Sequence, residues 1–239
     1  MSQSPPRRFA RGSDRWMRKR GPVAAAMRFA ASLPGQILVN TAAFTLPEEL
    51  RIHPSWRVLD IGCGRAGLIR ILADRVGLQT PPVGLDASQP LLRLARRDIA
   101  VEGGPAARLS RGVATALPFA GETFDLLLSA HTLKYLTDDE LRACLVEARR
   151  VLKPGGLFLA WEFAPTSSER LDRWNRRVLT LELPLVRLRA YRELETLARS
   201  CGFEWVEHAQ LRPFLLPPIP RCSLIMGKAP EGWAGPSGE

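Results

Sequence analysis

The run Val58-Leu-Asp60-Ile-Gly62-Cys63-Gly64-Arg-Ala-Gly67 sets a carboxylate two residues ahead of the first glycine of a strand-to-helix turn. Gly62, Gly64 and Gly67 satisfy G-x-G-x-x-G literally, and such a turn can lay a dinucleotide pyrophosphate on a helix N-terminus. Asp60 argues against that ligand. A carboxylate at the mouth of the turn repels phosphates, whereas it suits a ligand carrying an ammonium and a sulfonium, as S-adenosylmethionine does. A second acid ends Pro82-Val-Gly-Leu-Asp86, 19 residues after Gly67. A carboxylate there accepts hydrogen bonds from a ribose diol of either cofactor, so Asp86 indicates a nucleoside without naming it.

Three further segments join the first. Gly84-Leu-Asp86-Ala87-Ser88-Gln-Pro-Leu-Leu-Arg-Leu-Ala95 continues the second acid into a helix. Ala116-Leu-Pro118-Phe119 precedes Phe124-Asp125-Leu-Leu-Leu-Ser129, and Arg150-Val-Leu-Lys-Pro154-Gly155-Gly156 comes later. In this order and spacing, over residues 56–163, the segments resemble the motifs of class I S-adenosylmethionine-dependent methyltransferases. The Leu-Pro-Phe and Lys-Pro-Gly-Gly phrases most resemble the small-molecule branch that includes quinone-biosynthesis and related lipid methyltransferases.

The resemblance implies an α/β fold of Rossmann-like, doubly wound type, with a mostly parallel seven-stranded sheet, helices on both faces and a helical lid. It implies that Asp60, Gly62, Cys63, Gly64 and Gly67 line the cofactor at the first turn. Asp86 and Ala87 do so at the second, Val113 and Ala114 beside the adenine, and Ser129 at the end of the fourth strand. Asp60 then orients the methionine end, Asp86 takes both ribose hydroxyls, and Gly62 and Gly64 let the backbone approach closely. Two positions depart from the family pattern. Ala66 stands where glycine is more usual, which a negative φ at a shifted turn accommodates. Val113 stands where the family often has an acid that accepts from the adenine amino group, so about 1 kcal/mol of affinity is forgone.

Methyl transfer from a sulfonium needs little beyond holding nucleophile and methyl in line and dry. If the acceptor is a hydroxyl or a carbon acid, a general base helps, and His131 just beyond the fourth strand is placed for that role. A histidine that merely packs at a helix start has equal standing. Glu162 and Tyr191 read as structural. Two rival functions stand beside a small-molecule or lipid-like acceptor. An RNA methyltransferase suits the net charge of +10, but Ser129-Ala-His131-Thr replaces the Asn/Asp-Pro-Pro-aromatic sequence that holds a base amine. A non-catalytic S-adenosylmethionine-binding protein suits Ala66 and Val113. Oligomeric state leaves no mark in the motifs.

With 239 residues, 46% of them hydrophobic, the chain supports one sizeable domain, and it has no run of 18 uninterrupted apolar residues. Arg28 interrupts the apolar stretch after the basic start, so no secretory leader is predicted and the cytoplasm is the expected compartment. Cys63, Cys144, Cys201 and Cys222 are scattered and form no C-x-x-C pair, which points to reduced thiols and no metal site. Arg7, Arg8, Arg11, Arg15, Arg18, Lys19, Arg20 and Arg28 crowd the start against Asp14 alone. That block reads as a solvated tail or as a contact for an anionic membrane, with nucleic acid the lesser choice.

Residues 1–22 therefore read as a basic tail, 23–228 as the catalytic domain and 229–239 as a flexible end. Helices are expected over 23–33 and 35–50, then strands over 57–61 and 83–86 with helices from about 66 and 88. A faint strand is expected over 107–113 and a firm one over 124–129. Thr137 and Glu140 form a capping-box pattern that opens a helix running to Pro154-Gly155-Gly156, followed by a strand over 157–163. Leu171, Trp174, Val178 and Leu181 recur at helical spacing with arginines between them, which predicts a lid helix within residues 165–190 that buries this apolar stripe. Helix 193–201 and strands over 203–209 and 222–226 complete the sheet.

Overall fold

In the computed structural model the described residues are 52–102, 106–180, 186–214 and 219–232, with the isolated position 25. The basic tail, the expected helices over 23–33 and 35–50 apart from Ala25, and residues 233–239 lie outside them.

Short apolar segments alternate with amphipathic ones, and each becomes a strand or a covering helix. β1 (Val58–Ile61) and β2 (Val83–Asp86) are nearly all buried, as strands covered on both faces must be. Between them α1 (Gly67–Val76) turns Leu68, Ile69 and Leu72 to the sheet and stops at Gly77, whose φ of 68° closes the helix. There follow α2 (Gln89–Glu102), β3 (Arg108–Arg111), β4 (Phe124–Ala130), α3 (Asp138–Val151), β5 (Leu152–Phe163), α4 (Glu169–Thr180), α5 (Tyr191–Ser200), β6 (Trp205–Phe214) and β7 (Ile219–Gly227).

The sheet order is β3-β2-β1-β4-β5-β7-β6. β1 to β5 pair in parallel, while β7 lies antiparallel between β5 and β6. This is the doubly wound, mostly parallel sheet that the sequence predicts. On one face Val58, Leu126, Leu128, Leu159 and Trp161 pack against α1. On the other, Leu59, Leu127, Phe158 and Ala160 pack against Leu141, Leu145, Leu194 and Ala198 of α3 and α5. Strand order reverses between β1 and β4, so a ligand crevice opens beyond the carboxyl ends of those strands.

The structure corrects three expectations. α3 has its capping box, with Thr137 Oγ1 accepting from the Glu140 N–H at 3.2 Å and Glu140 Oε2 from the Thr137 N–H at 2.8 Å. It nevertheless ends at Val151, and Lys153-Pro154-Gly155-Gly156 forms an irregular excursion at the head of β5, with Gly155 at φ 75°. Lys153 Nζ is held by Asp125 Oδ1 at 2.8 Å and the Gly155 N–H by the Lys228 carbonyl at 3.0 Å, contacts that a continued helix would forfeit. The C-terminal end is also tied down at its start, since the Ala229 N–H donates to Glu204 Oε2 at 2.9 Å. Finally, the apolar stripe of α4 is not buried as expected at Trp174. Asp172 and Asn175 are buried and Trp174 is 53% exposed, while Leu181 lies outside the described residues. Asp172 is drawn inward because Oδ1 accepts from both the N–H and the hydroxyl of Thr166, each at 2.7 Å.

Candidate cofactor and acceptor site

At the carboxyl ends of β1 and β2 the two acids of the motifs come together. Asp86 is buried and each of its oxygens is engaged by a backbone donor: Oδ2 accepts from the Gly64 N–H at 2.9 Å and Oδ1 from the Ser88 N–H at 2.8 Å. It thereby fixes both the glycine turn and the start of α2. Asp60 is buried too, but its Oδ1 has no hydrogen-bond partner. Burial, reinforced by the Asp86 charge, pushes the Asp60 carboxyl up to about 8. Two acids in one dry corner hold a standing demand for positive charge.

The glycines of the turn serve different ends. Gly62 adopts φ 80°, and a Cβ there would fall 2.2 Å from Thr132 Oγ1, so the missing side chain makes room for the segment after β4. Gly64, at φ 56°, has open space where its Cβ would be, and it is there that the backbone is free for a ligand. Gly67 opens α1. Ala66 takes φ 60°, not the negative φ expected of it, so the alanine is held in the left-handed region that the family's glycine enters freely. The strained turn is pinned by the Ala66 N–H to the Cys63 carbonyl at 2.7 Å. Cys63 itself is buried beneath the turn, its thiol pushed up by burial and then by the charges of Asp86 and Asp60.

The remaining predicted positions fall around the same crevice. The Gly112 N–H donates to the Asp86 carbonyl at 3.2 Å, which brings Val113 and Ala114, both half-buried, alongside the end of β2. Val113 pairs with Ala116 across a single bridge. The Ala87 carbonyl accepts from Arg111 Nε at 3.4 Å. Ser129 is fully buried and donates to the Ile61 carbonyl at 3.1 Å, a strap between β4 and β1.

Beyond β4 the chain turns sharply at His131, whose φ of 56° is unusual for a side chain with a Cβ. The turn is built to hold it. Its N–H donates to the Trp161 carbonyl at 2.8 Å, its carbonyl accepts from Lys134 Nζ, and its ring stacks on Phe163 with centroids 4.4 Å apart. Glu162, buried on the opposite face, accepts from the Leu133 N–H at 2.6 Å and so anchors the helical turn Leu133–Tyr135, as its structural reading expected. Arg189 reaches in from the segment before α5 to bond the Leu136 carbonyl at 2.6 Å and Asp138 Oδ1 at 2.8 Å. Tyr191 stacks on His208 instead, 3.8 Å between centroids, and takes no part. Burial, then the charges of Lys134 and Arg221, hold the His131 imidazole well below its ordinary range, hence neutral around pH 7.

Residues 58–156 match the methyltransferase domain family. Over that stretch the chain is similar to curated S-adenosylmethionine-dependent methyltransferases of quinone biosynthesis. The chain is 36% identical over 122 residues to a ubiquinone/menaquinone biosynthesis C-methyltransferase of Bordetella avium, an overlap of 51% of this chain and 46% of that protein. It is 33% identical over 115 residues to a demethylmenaquinone methyltransferase of Lysinibacillus sphaericus, covering 48% of this chain and 47% of that one. It thus spans about half the length of these curated relatives. The fold is shared with phosphoethanolamine N-methyltransferase 2 of Haemonchus contortus in complex with S-adenosyl-L-methionine, at a TM-score of 0.72 and 18% identity over 90% of this chain and 59% of that one.

The residues around the glycine turn fit S-adenosylmethionine on their own chemistry. An unpartnered buried carboxylate beside a second acid suits a ligand cation, and open space over Gly64 suits a close approach. Sequence reasoning passed over Trp161, Ser223 and Arg221. Each is a polar group set in an apolar strand, which was the available signal, but only strand pairing brings them together.

Proposed function

We propose that the chain transfers the methyl group of S-adenosylmethionine to a small, lipid-like acceptor of the quinone-precursor kind. The observation that carries this reading is the buried, unpartnered Asp60 carboxylate facing Asp86 across the glycine turn. When bound, the cofactor supplies a methyl group already activated by the sulfonium. Asp60 would orient the cationic methionine end, and Asp86, through its remaining lone pairs, the ribose hydroxyls. Val113 and Ala114 would pack beside the adenine. His131, neutral and held in a fixed pose, would accept a proton from a hydroxyl or carbon acid as it is methylated. Two similar proteins named for quinone methylation support the acceptor class.

The test is transfer of radiolabelled methyl from S-adenosylmethionine into quinone precursors, lipid extract or RNA, with calorimetry of S-adenosylmethionine against NADH. Label in quinone precursors or lipid extract is expected, with S-adenosylmethionine bound and NADH not. Label in RNA alone, or binding without transfer, would select one of the two rival functions.

The surface supports a place of work as well. Arg170, Arg173 and Trp174 stand on one exposed side of α4, within a single turn of one another. An exposed tryptophan ringed by arginines is suited to the interface of an anionic bilayer, where a lipid-like acceptor resides. Among the described residues no helix is long and apolar enough to cross a membrane, so the contact would be peripheral.

A further inference from the structure

Buried polar groups in folded proteins almost always have a partner, and one that has none asks what it serves. Trp161 and Ser223 are such a pair. They face each other across β5 and β7 in register, each essentially inaccessible, and neither the indole Nε1 nor the hydroxyl Oγ has a hydrogen-bond partner. Side chains alternate along a strand, so this pair shares its face with Phe163 and Arg221, which are also in register. Phe163 is the ring on which His131 stacks. Directly opposed residues on one face lie about 4.5–5.5 Å apart at Cβ, so indole and hydroxyl can serve one ligand atom. The surroundings are cationic. Lys134 Nζ lies 5.3 Å from the centroid of Phe163, and both Lys134 and Arg221 are buried. Their charges depress the His131 imidazole. Glu162, the nearby carboxylate on β5, projects to the other face and anchors Leu133.

We infer that the Trp161 indole N–H and the Ser223 hydroxyl donate to an oxygen of the methyl acceptor, and that this oxygen is anionic, as in a phenolate, an enolate or a carboxylate. The inference rests on the acceptor reading above and deepens it. An indole nitrogen can only donate, so its missing partner is an acceptor atom. Arg221 is buried on the same face as Ser223 and Lys134 lies near Phe163, so this side of the strand pair favours an anionic oxygen over a neutral carbonyl. The pair lies on the side of the sheet reached from the His131 turn, which touches the cofactor turn through Thr132 Oγ1 and the Gly62 carbonyl at 3.4 Å.

The full chain saturated with S-adenosylhomocysteine is titrated by calorimetry with 2-hydroxy-1,4-naphthoquinone, anionic at neutral pH, and with its neutral methyl ether, 2-methoxy-1,4-naphthoquinone. The anion is expected to bind at least ~10-fold tighter, in keeping with a hydrogen bond to a charged group. Trp161→Phe, which loses the N–H together with part of the indole volume, should lower the melting temperature, weaken the anion about 10-fold and leave the ether and the S-adenosylhomocysteine affinity unmoved. Ser223→Ala should act in the same direction. Equal affinity for the two naphthoquinones, binding of neither, or an unchanged anion affinity in a folded Trp161→Phe protein overturns the inference. If the parent fails to bind S-adenosylhomocysteine, the cofactor reading falls first, and the two failures are thereby told apart.

Discussion

Asp60→Asn should make the ligand-free protein more stable and the cofactor weaker at the same time. In the folded chain the carboxyl titrates at about 8 against an ordinary 3.8, because burial and the Asp86 charge both oppose its ionisation. The sign follows from linkage. A carboxyl raised by folding contributes full stability below pH 3.8 and loses it progressively until about pH 8, above which the loss is complete. At 1.36 kcal/mol per pH unit over that window, the ionised group costs on the order of 5 kcal/mol. Asparagine has the shape of the protonated acid and no such window. The stability gap between variant and parent should therefore widen from about pH 4 to about pH 8 and then level off. At about 2–4 °C per kcal/mol, thermal melts at several pH values should show an advantage on the order of 10 °C at the alkaline end. Saturating S-adenosylmethionine should shrink or reverse it, since the variant loses a charge-assisted contact of about 1.5–3 kcal/mol. In the parent, binding below pH 8 should release a proton, read by calorimetry in buffers of different ionisation enthalpy. A constant gap between pH 5 and 8, or equal cofactor affinity in the two proteins, refutes the role given to Asp60.

Three more outcomes are expected. His131→Ala should cut turnover about 10²- to 10⁴-fold with little change in cofactor affinity, and because its imidazole is held well below its ordinary range, the parent's rate should be flat through pH 6 to 8; a limb near pH 6.5 would show the ring to be solvated instead. Val113→Asp should tighten S-adenosylmethionine by about 1 kcal/mol, by calorimetry, if the carboxylate reaches the adenine amino group; weaker binding in a folded variant would mean that the loop from Gly112 to Ala116 is committed to apolar packing. Anionic vesicles should sediment the full chain at low salt and release it at high salt, and Trp174→Ala with Arg170→Glu and Arg173→Glu should abolish the binding without loss of methyl transfer to a soluble acceptor; equal sedimentation with neutral vesicles would contradict the charge argument.

The parts of the molecule that were legible beforehand are those in which chemistry and backbone geometry are set by neighbours in the chain. The glycine turn, Asp60 and Asp86 belong to this class, because a strand end followed by a helix start leaves such residues few places to go. The capping box at Thr137 belongs to it too. The surroundings of Trp161 were not legible. Trp161, Ser223, Phe163 and Arg221 meet only because β7 enters the sheet antiparallel beside β5, and no local pattern in either segment states that register. α4 shows a different limit. Helical spacing announced the helix, yet arginine and apolar residues interleave on it, and the period alone does not say which stripe is covered. The tie between Asp172 and Thr166 turned the polar side inward.

The clasp that Arg189 and the Arg187 N–H place on the turn after His131 has a consequence for the way such enzymes diversify. The stretch 186–190, not α4 itself, grips the corner that carries His131, with the Arg187 N–H on the Lys134 carbonyl at 2.8 Å. If residues 165–185 cover the acceptor as proposed, a transplant that exchanged only them between relatives would leave the corner held by its old clasp. One that also carried residues 186–190 would replace the clasp and leave the matching carbonyls at 133, 134 and 136 to chance. On the proposed reading a cover and a corner would have to change together, and an exchange that respects only the bounds of α4 is expected to yield proteins that bind cofactor well and methylate poorly.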